Sequence, residues 1–308
     1  MIKIVFYGTS EFAVPSLEAL AGDGRFSIIA VITQPDRPVG RHATLQKPAI
    51  KIAAEALNIP VHQFEQVTSD EAFNILQSLS ADAAVVASFG QIIPQRVLDL
   101  YPKGAINVHG SLLPKYRGAS PIREALVSGD AETGNTIMLM DAKMDHGPML
   151  ASRSILIEAS DTTETLTPKL ASSGAKLLLE TLPAFFDGLI KPVEQDHTQA
   201  TFVKLLTRED GHLHPETQTA QVLEHLIRAN IPWPGSFIEV HGKRIKILQS
   251  KLDGSTDALA GSRYQVNGIP ALACADGTGL LLLRVQPEGK PPLEGAAFLR
   301  GSRDWLSD

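Results

Sequence analysis

Residues 104–122 read GAINVHGSLLPKYRGASPI, and the rest of the chain is best read outward from that stretch. Ala105, Asn107 and His109 alternate with Ile106 and Val108, the period of two of a β-strand with distinct faces. Asn107 and His109 therefore point the same way. The run breaks at Gly110 and passes through Ser111, Leu112 and Leu113 to Pro114, so the strand ends in a loop. Open α/β sheets keep their chemistry in such loops, at the carboxyl ends of strands. An amide donor and an imidazole two residues apart can together hold an oxygen that becomes negative during a reaction. The same two groups can equally satisfy the backbone of a turn, and alone they specify no more than that.

Company comes from the next hairpin. The apolar run from Thr136 to Met140 leads into Asp141, Ala142, Lys143, Met144, Asp145, His146, Gly147 and Pro148, and then into a second strand-like run. A carboxylate in this loop can sit beside the imidazole and favour its charged form. Asn107, His109 and Asp145 are thus expected to form one site at two neighbouring strand ends.

The run from Asn107 to Pro114, the following Arg117 to Ile122, and Met144-Asp145-His146-Gly147 resemble the signature of folate-dependent formyltransferases. With Thr33 to Pro38 upstream and Trp233-Pro234-Gly235 downstream, the likeness spans nearly the whole chain and is similar to the members that act on methionyl-tRNA. It implies 10-formyltetrahydrofolate as formyl donor, without a metal, and initiator methionyl-tRNA as acceptor. It also implies a folate pocket shaped by Ser111, Leu112, Leu113 and Pro114, with Asp141 beside it.

Composition bounds the rest. A chain of 308 residues exceeds the usual size of one domain and suggests about two. Apolar residues make up 44% and charged residues 20%, the balance of a globular protein with a sizeable core. A net charge of -6 gives no global sign of a polyanion partner, so any nucleic-acid contact must use local patches. The single Cys274 has no partner for an internal disulfide and no paired metal spacing. Met1 to Gly8 enters a strand directly, without a signal-peptide pattern, and no apolar run approaches a membrane span. A cytoplasmic monomer is expected.

Taken in order, Ile2 to Tyr7 reads as a buried strand, Glu11 onward as a helix burying Phe12, Leu17 and Leu20, and Phe26 to Thr33 as the next strand. That is a βαβ unit with parallel pairing. The Gly8-Thr9-Ser10 turn lacks the glycines of a dinucleotide fingerprint and is read as a tight turn, which also disfavours a nicotinamide oxidoreductase. Gln34 to Lys51 is a long connection rich in Pro and cations, followed by a helix from Ile50 to Leu57. No acid accompanies those cations after Asp36, so the loop either touches a phosphate backbone or is solvated. The resemblance implies that it enters the end of an acceptor stem, with Arg41 and Lys47 as the contacts. Ser69 to Leu79 is amphipathic, and Ala83 to Ser88 is a short strand ending at Phe89, Gly90, Gln91 and Ile92. That turn is either a wall for a flat heterocycle or an ordinary strand-to-helix turn; the resemblance implies the pterin pocket.

Asp161 to Gly188 shows helical spacing, with Pro168 expected in a first turn and Pro183 at a late kink or break. Lys191 to Leu206 is weakly periodic and reads as a linker. Beyond it a helix from Thr217 to Ala229, burying Val222, Leu223, Leu226 and Ile227, precedes short strands at 237–240, 244–248, 264–266, 271–274 and 280–285. The fold class is therefore α/β, a doubly wound, mostly parallel sheet of the formyltransferase-like Rossmann type over residues 1–189. A linker at 190–206 and a small, OB-like β-barrel over 207–308 complete it. In the second part Lys243, Arg244 and Lys246 form a basic run without an intervening acid, fit for an RNA backbone or for solvent. Two other readings stay in view. One keeps the chemistry with a glycinamide ribonucleotide or amino-sugar acceptor, and the other is a non-catalytic RNA-binding protein.

Overall fold

The computed structural model describes residues 1–39, 44–302 and 305–306. Two compact units divide the chain, one of residues 1–122, 132–156 and 167–204, the other of residues 123–131, 157–166 and 205–308. In chain order the first elements are β1 (Ile2–Gly8), α1 (Val14–Ala21), β2 (Phe26–Thr33), β3 (Arg37–Val39), β4 (Thr44–Gln46), α2 (Ala49–Ala56) and β5 (Val61–Gln63). Next come α3 (Asp70–Ser78), β6 (Ala83–Ala87), α4 (Gln95–Leu98), β7 (Ala105–His109), β8 (Arg117–Gly118) and α5 (Pro121–Val127). They are followed by β9 (Glu132–Leu139), β10 (Met149–Leu156), α6 (Thr163–Phe186) and β11 (Phe202–Val203).

The central sheet runs in the order β10-β9-β7-β6-β1-β2-β5. Strands β5, β2, β1, β6 and β7 are parallel, and β9 and β10 add antiparallel pairings at one edge. The strand sequences explain the layering. Val5 and Tyr7 of β1 join a core with Leu76 of α3 and Val97 and Leu98 of α4. Ile4 and Phe6, one step out of phase, are just as buried on the other face. A strand covered on both sides reads as a continuous apolar run, as β1 and β6 do. From β1 the chain builds outward through β2 and β5, then returns to β6 on β1's other side. The crevice at such a reversal is where open sheets bind ligands.

Four expectations are corrected here. The long connection after β2 contains a hairpin, β3 against β4, rather than irregular chain. Helix α6 runs unbroken through Pro168 and Pro183, and Pro168 lies beyond its first turn. Its buried stripe of Leu166, Leu170, Leu177, Leu178 and Leu182 offsets the hydrogen bonds that the two rings remove. The stretch read as a linker belongs to the first unit as far as Lys204. Val193 bridges Met149, Gln195 is buried, and β11 pairs in parallel with β8. Polar bonds rather than an apolar face hold this segment, which is why it shows no periodicity. Finally, Val222 is exposed, because the helix that carries it faces the core along Ala220, Leu223 and Ile227.

The second unit comprises α7 (Ala220–Ala229), capped by the Thr219 hydroxyl, then β12 (Ser236–Val240), β13 (Lys243–Ser255), β14 (Arg263–Val266), β15 (Ile269–Ala273), β16 (Thr278–Pro287), β17 (Leu293–Glu294) and α8 (Gly295–Gly301). Its strands pair antiparallel in the order β12-β13-β16-β15-β14, with β17 beside β16. Leu223 and Ile227 of α7 pack against Ile238, Ile245, Ile247, Leu280, Leu282, Val285 and Trp305. Cys274 lies in this core as a free thiol.

Candidate active site

Strand β7 presents Asn107 and His109 from one face, both more than 90% buried. The Asp145 carboxylate meets them there. Asn107 Nδ2 donates to Asp145 Oδ1 at 3.3 Å, and His109 Nδ1 lies 3.6 Å from the same oxygen. Asp145 Oδ2 accepts from the Gly118 amide at 2.8 Å. The other imidazole nitrogen, Nε2, is 3.1 Å from the Tyr116 carbonyl oxygen. A carbonyl only accepts, so Nε2 carries the hydrogen, and Nδ1 is the nitrogen that faces Asp145.

The route by which Asp145 arrives differs from the expectation of two adjacent strand ends. β9 is antiparallel to β7, with Leu139 beside Ile106 and Thr136 beside His109. The loop after β9 therefore leaves from the beginning of β7 and folds back over the sheet face. Leu139 N bonds Pro148 O at 2.9 Å to close its base. Asp145 itself adopts φ +48°, a left-handed conformation that Asp tolerates better than most residues.

Around this centre, Ser111 Oγ donates to Lys115 O at 2.6 Å, and Leu113 N donates to Thr136 Oγ1 at 3.0 Å. Thr136 Oγ1 in turn donates to Ser111 O at 2.8 Å, so one buried hydroxyl shapes the loop from Ser111 to Pro114. Val86 pairs with Asn107, which places the turn after β6 beside the end of β7. In that turn Phe89 is buried edge-on against Tyr7, Gly90 takes φ +81°, and Ile92 is exposed. Thr9 Oγ1 donates to Phe89 O at 2.7 Å, Gln34 Nε2 to Gly90 O at 3.1 Å, and Gln91 spans Phe64 O and Val67 N. Asp141 Oδ2 lies 2.7 Å from His146 Nδ1. Among the described residues no cluster of three or more His, Cys, Asp or Glu side chains could hold a metal ion.

A profile of the formyl transferase family matches residues 2–182, and a profile of the formyl transferase C-terminal domain matches residues 205–303. The chain belongs to the formyl transferase family. It is 42% identical over 306 residues to methionyl-tRNA formyltransferase of Anaeromyxobacter sp. (strain K), covering 98% of this chain and 97% of that one. It is 44% identical over 304 residues to the enzyme of the same name from Roseiflexus sp. (strain RS-1), covering 98% and 93%. Among solved structures, the N-formyltransferase from Helicobacter canadensis in complex with folinic acid and dTDP-3-aminofucose matches with a TM-score of 0.67 at 19% identity. That match covers 93% of this chain and all of that one, and shows a shared fold.

The basic residues singled out in this formyl transferase are less isolated than their sequence neighbourhood suggests. Lys47 pairs with Glu55 at 2.7 Å, Arg37 with Glu65 at 2.7 Å, and Lys51 with Asp36 at 2.8 Å. On β13, Arg244 and Lys246 are exposed while Ile245 and Ile247 are buried, as the alternation requires. Arg244 pairs with Glu209 at 3.2 Å and with Glu239, its cross-strand neighbour on β12, at 3.1 Å. The acids come from other elements, which a search along the chain does not see. Lys243 is likewise exposed, and Arg41 lies outside the described residues. Sequence reading named Thr136 only as the start of an apolar run and Arg117 only within the family signature, and it passed over Gln195. Only Arg117, a cation within an otherwise small and polar run, carried any signal.

Proposed function

We infer that the chain transfers the formyl group of 10-formyltetrahydrofolate to the free amino group of methionyl-tRNA, yielding N-formylmethionyl-tRNA. The observation that carries the chemistry is the convergence of Asn107 Nδ2 and His109 Nδ1 on one oxygen of Asp145. The acceptor follows from relatives of that name aligned over 98% of the chain, both units included.

In the reaction the amine nitrogen attacks the formyl carbon, and the carbonyl oxygen takes up negative charge. The carbon–N10 bond then breaks as N10 gains a proton and the amine loses one. Asn107 has a second amide hydrogen beyond the one given to Asp145, and this hydrogen stabilises the oxyanion. His109 exchanges its proton at Nδ1, the nitrogen that faces the Asp145 carboxylate. Their 3.6 Å separation leaves the two groups facing a common point rather than locked together. Asp145 also relays the amine's proton. Ser111 to Pro114, the Phe89 to Ile92 turn and Asp141 border the folate, with exposed Ile92 as an apolar ledge for its ring. Arg41 and Lys47 in the first unit, and Lys243, Arg244 and Lys246 in the second, contact tRNA phosphates. The enzyme acts as a cytoplasmic monomer, which sedimentation of the purified protein checks.

The test is an acceptor series with 10-formyltetrahydrofolate: methionyl-tRNA, uncharged tRNA, glycinamide ribonucleotide and a nucleotide-linked amino sugar. Formylation of methionyl-tRNA alone is expected, and a faster reaction with the sugar would sink the reading. Asn107→Ala should lower the single-turnover rate by about 100- to 1000-fold, as loss of one oxyanion donor does. An unchanged rate removes Asn107 from this role.

A further inference from the structure

The loop bearing Asp145 is anchored at the far end of β7 and must be held across the sheet face for its carboxylate to meet Asn107 and His109. Gln195 holds it. Its Nε2 donates to the carbonyl oxygen of Asp145 at 2.9 Å and to that of Gly147 at 2.7 Å, committing both amide hydrogens to the loop. Its Oε1 accepts from Arg117, at 2.6 Å from Nη2 and 3.2 Å from Nε. Both side chains are buried. The orientation of the amide is decided by chemistry, because a flip would set Oε1 against two carbonyls and the NH2 group against a guanidinium that only donates.

The clamp continues beyond Arg117. Arg117 Nη2 also donates to His197 Nδ1 at 2.9 Å, and the His197 ring stacks on that of His146 with centroids 4.1 Å apart and planes 10° from parallel. His146 reaches Asp141 at the start of the same loop. Contacts from the 195–197 segment therefore engage the loop at Asp145, His146 and Gly147. On the site side, β8 pairs with β11, and the Gly118 amide that binds Asp145 Oδ2 is the next residue after Arg117. One buried arginine thus links the backbone and the carboxylate of Asp145.

We propose that Gln195, oriented by Arg117, is a positioning residue that sets the Asp145 carboxylate against Asn107 and His109. The proposal rests on the reading that this carboxylate takes part in formyl transfer. Gln195 touches no reacting atom in it. Its effect is on the rate of the chemical step, not on the affinity for folate or tRNA, and it is exerted through Asp145.

Two substitutions separate this from a merely structural role. Gln195→Glu keeps an acceptor for Arg117 but removes both donors to the loop, whereas Gln195→Met also removes the acceptor. Each is measured by single-turnover formyl transfer at saturating 10-formyltetrahydrofolate and methionyl-tRNA, in the parent and in an Asp145→Asn background, beside the thermal midpoint. With Gln195→Glu, displacement of Asp145 by about 1 Å is expected to slow the chemical step about 100-fold while KM for either substrate changes less than about twofold. In the Asp145→Asn background the same substitution should cost little more, since the two act as one unit. A Gln195→Glu enzyme that keeps the parent rate, with only a lowered thermal midpoint, overturns the proposal. So does a loss that multiplies in full with that of Asp145→Asn. If Asp145→Asn itself keeps the parent rate, the catalytic reading of Asp145 falls first, and that result is distinct from the other two.

Discussion

Gly147 is the point at which the Asp145 loop closes on its own beginning, and replacing it with alanine is the sharpest steric test of the site. A Cβ built there lies 2.1 Å from the Leu139 carbonyl oxygen and 3.5 Å from the Asp141 nitrogen. Ordinary contact begins near 3.4 Å, so the two backbones must part by about 1.3 Å. Neither can yield as a side-chain tip would. Leu139 is the last residue of β9, with its amide bonded to Pro148, and the Gly147 carbonyl is bonded to Gln195. The movement therefore passes into the loop, two residues from Asp145. Misplacing a catalytic group by about 1 Å costs about 100-fold in rate, and overpacking of this kind costs about 1–3 kcal/mol of stability. Gly147→Ala should thus fold, melt at lower temperature and formylate methionyl-tRNA about 100-fold more slowly in a single turnover. Gly24→Ala is the control, because a Cβ there meets nothing within 4 Å. If Gly147→Ala matches the Gly24→Ala rate, the loop does not govern where the carboxylate sits, and the geometric account of catalysis is wrong.

The other expectations follow from the same geometry. His109→Ala and Asp145→Asn should each be severely slowed, and the double variant should lose less than the product of the two, as groups acting together do; fully multiplicative losses would show that they work independently. Replacing Arg244 and Lys246 together by alanine should weaken methionyl-tRNA binding and make its dependence on salt shallower by about 1.5 in the logarithmic slope, with folate affinity unchanged. The existing partners of Arg244 are exposed acids, and such ion pairs exchange readily for phosphates; an unaltered salt slope would place the RNA elsewhere. Burial, aided by the charge of Asp276, pushes the Cys274 thiol from its ordinary 9.0 up to about 12. Native protein should therefore resist alkylation at pH 8 while denatured protein reacts. Because the folded value lies above the unfolded one, the stability linked to this thiol is present below about pH 9 and lost as pH rises through about 12. Equal labelling of native and denatured protein would contradict it.

What could be read along the chain was whatever has a period. β1 and β6 announced themselves as apolar runs, α3 and α7 as helical stretches expected to begin at Ser69 and Thr217, and the alternation in β7 put Asn107 and His109 on one face. Pairings between distant segments have no such mark. The acids that meet Lys47 and Arg244 lie on α2, on β12 and in the segment before α7, so two cations that look bare along the chain are in fact paired. Asp145 could be singled out as a candidate because a carboxylate in a short loop is conspicuous, yet the path of that loop depends on β9 running antiparallel to β7, a property of strand pairing that no local residue encodes.

The same reasoning explains why the segment after α6 looked like a linker. A strand or helix that buries an apolar face must repeat its hydrophobic residues, whereas a segment held by amide and hydroxyl bonds has no such obligation. Residues 190–204 are of the second kind. Gln195 reaches two loop carbonyls, Thr201 donates its backbone amide to Pro114 O and accepts the Tyr116 amide at its hydroxyl, and His197 accepts from Arg117. Each of these bonds ends on the Ser111–Gly118 stretch or on the Asp145 loop, the two pieces of irregular chain that meet at the Asp145 carboxylate. Irregular backbone carries unpaired donors and acceptors, and those groups are best satisfied by another irregular segment able to place single polar side chains where they are needed. A weakly periodic, polar stretch following a catalytic domain is therefore ambiguous between tether and brace. In this chain the buried amide of Gln195 decides for the brace.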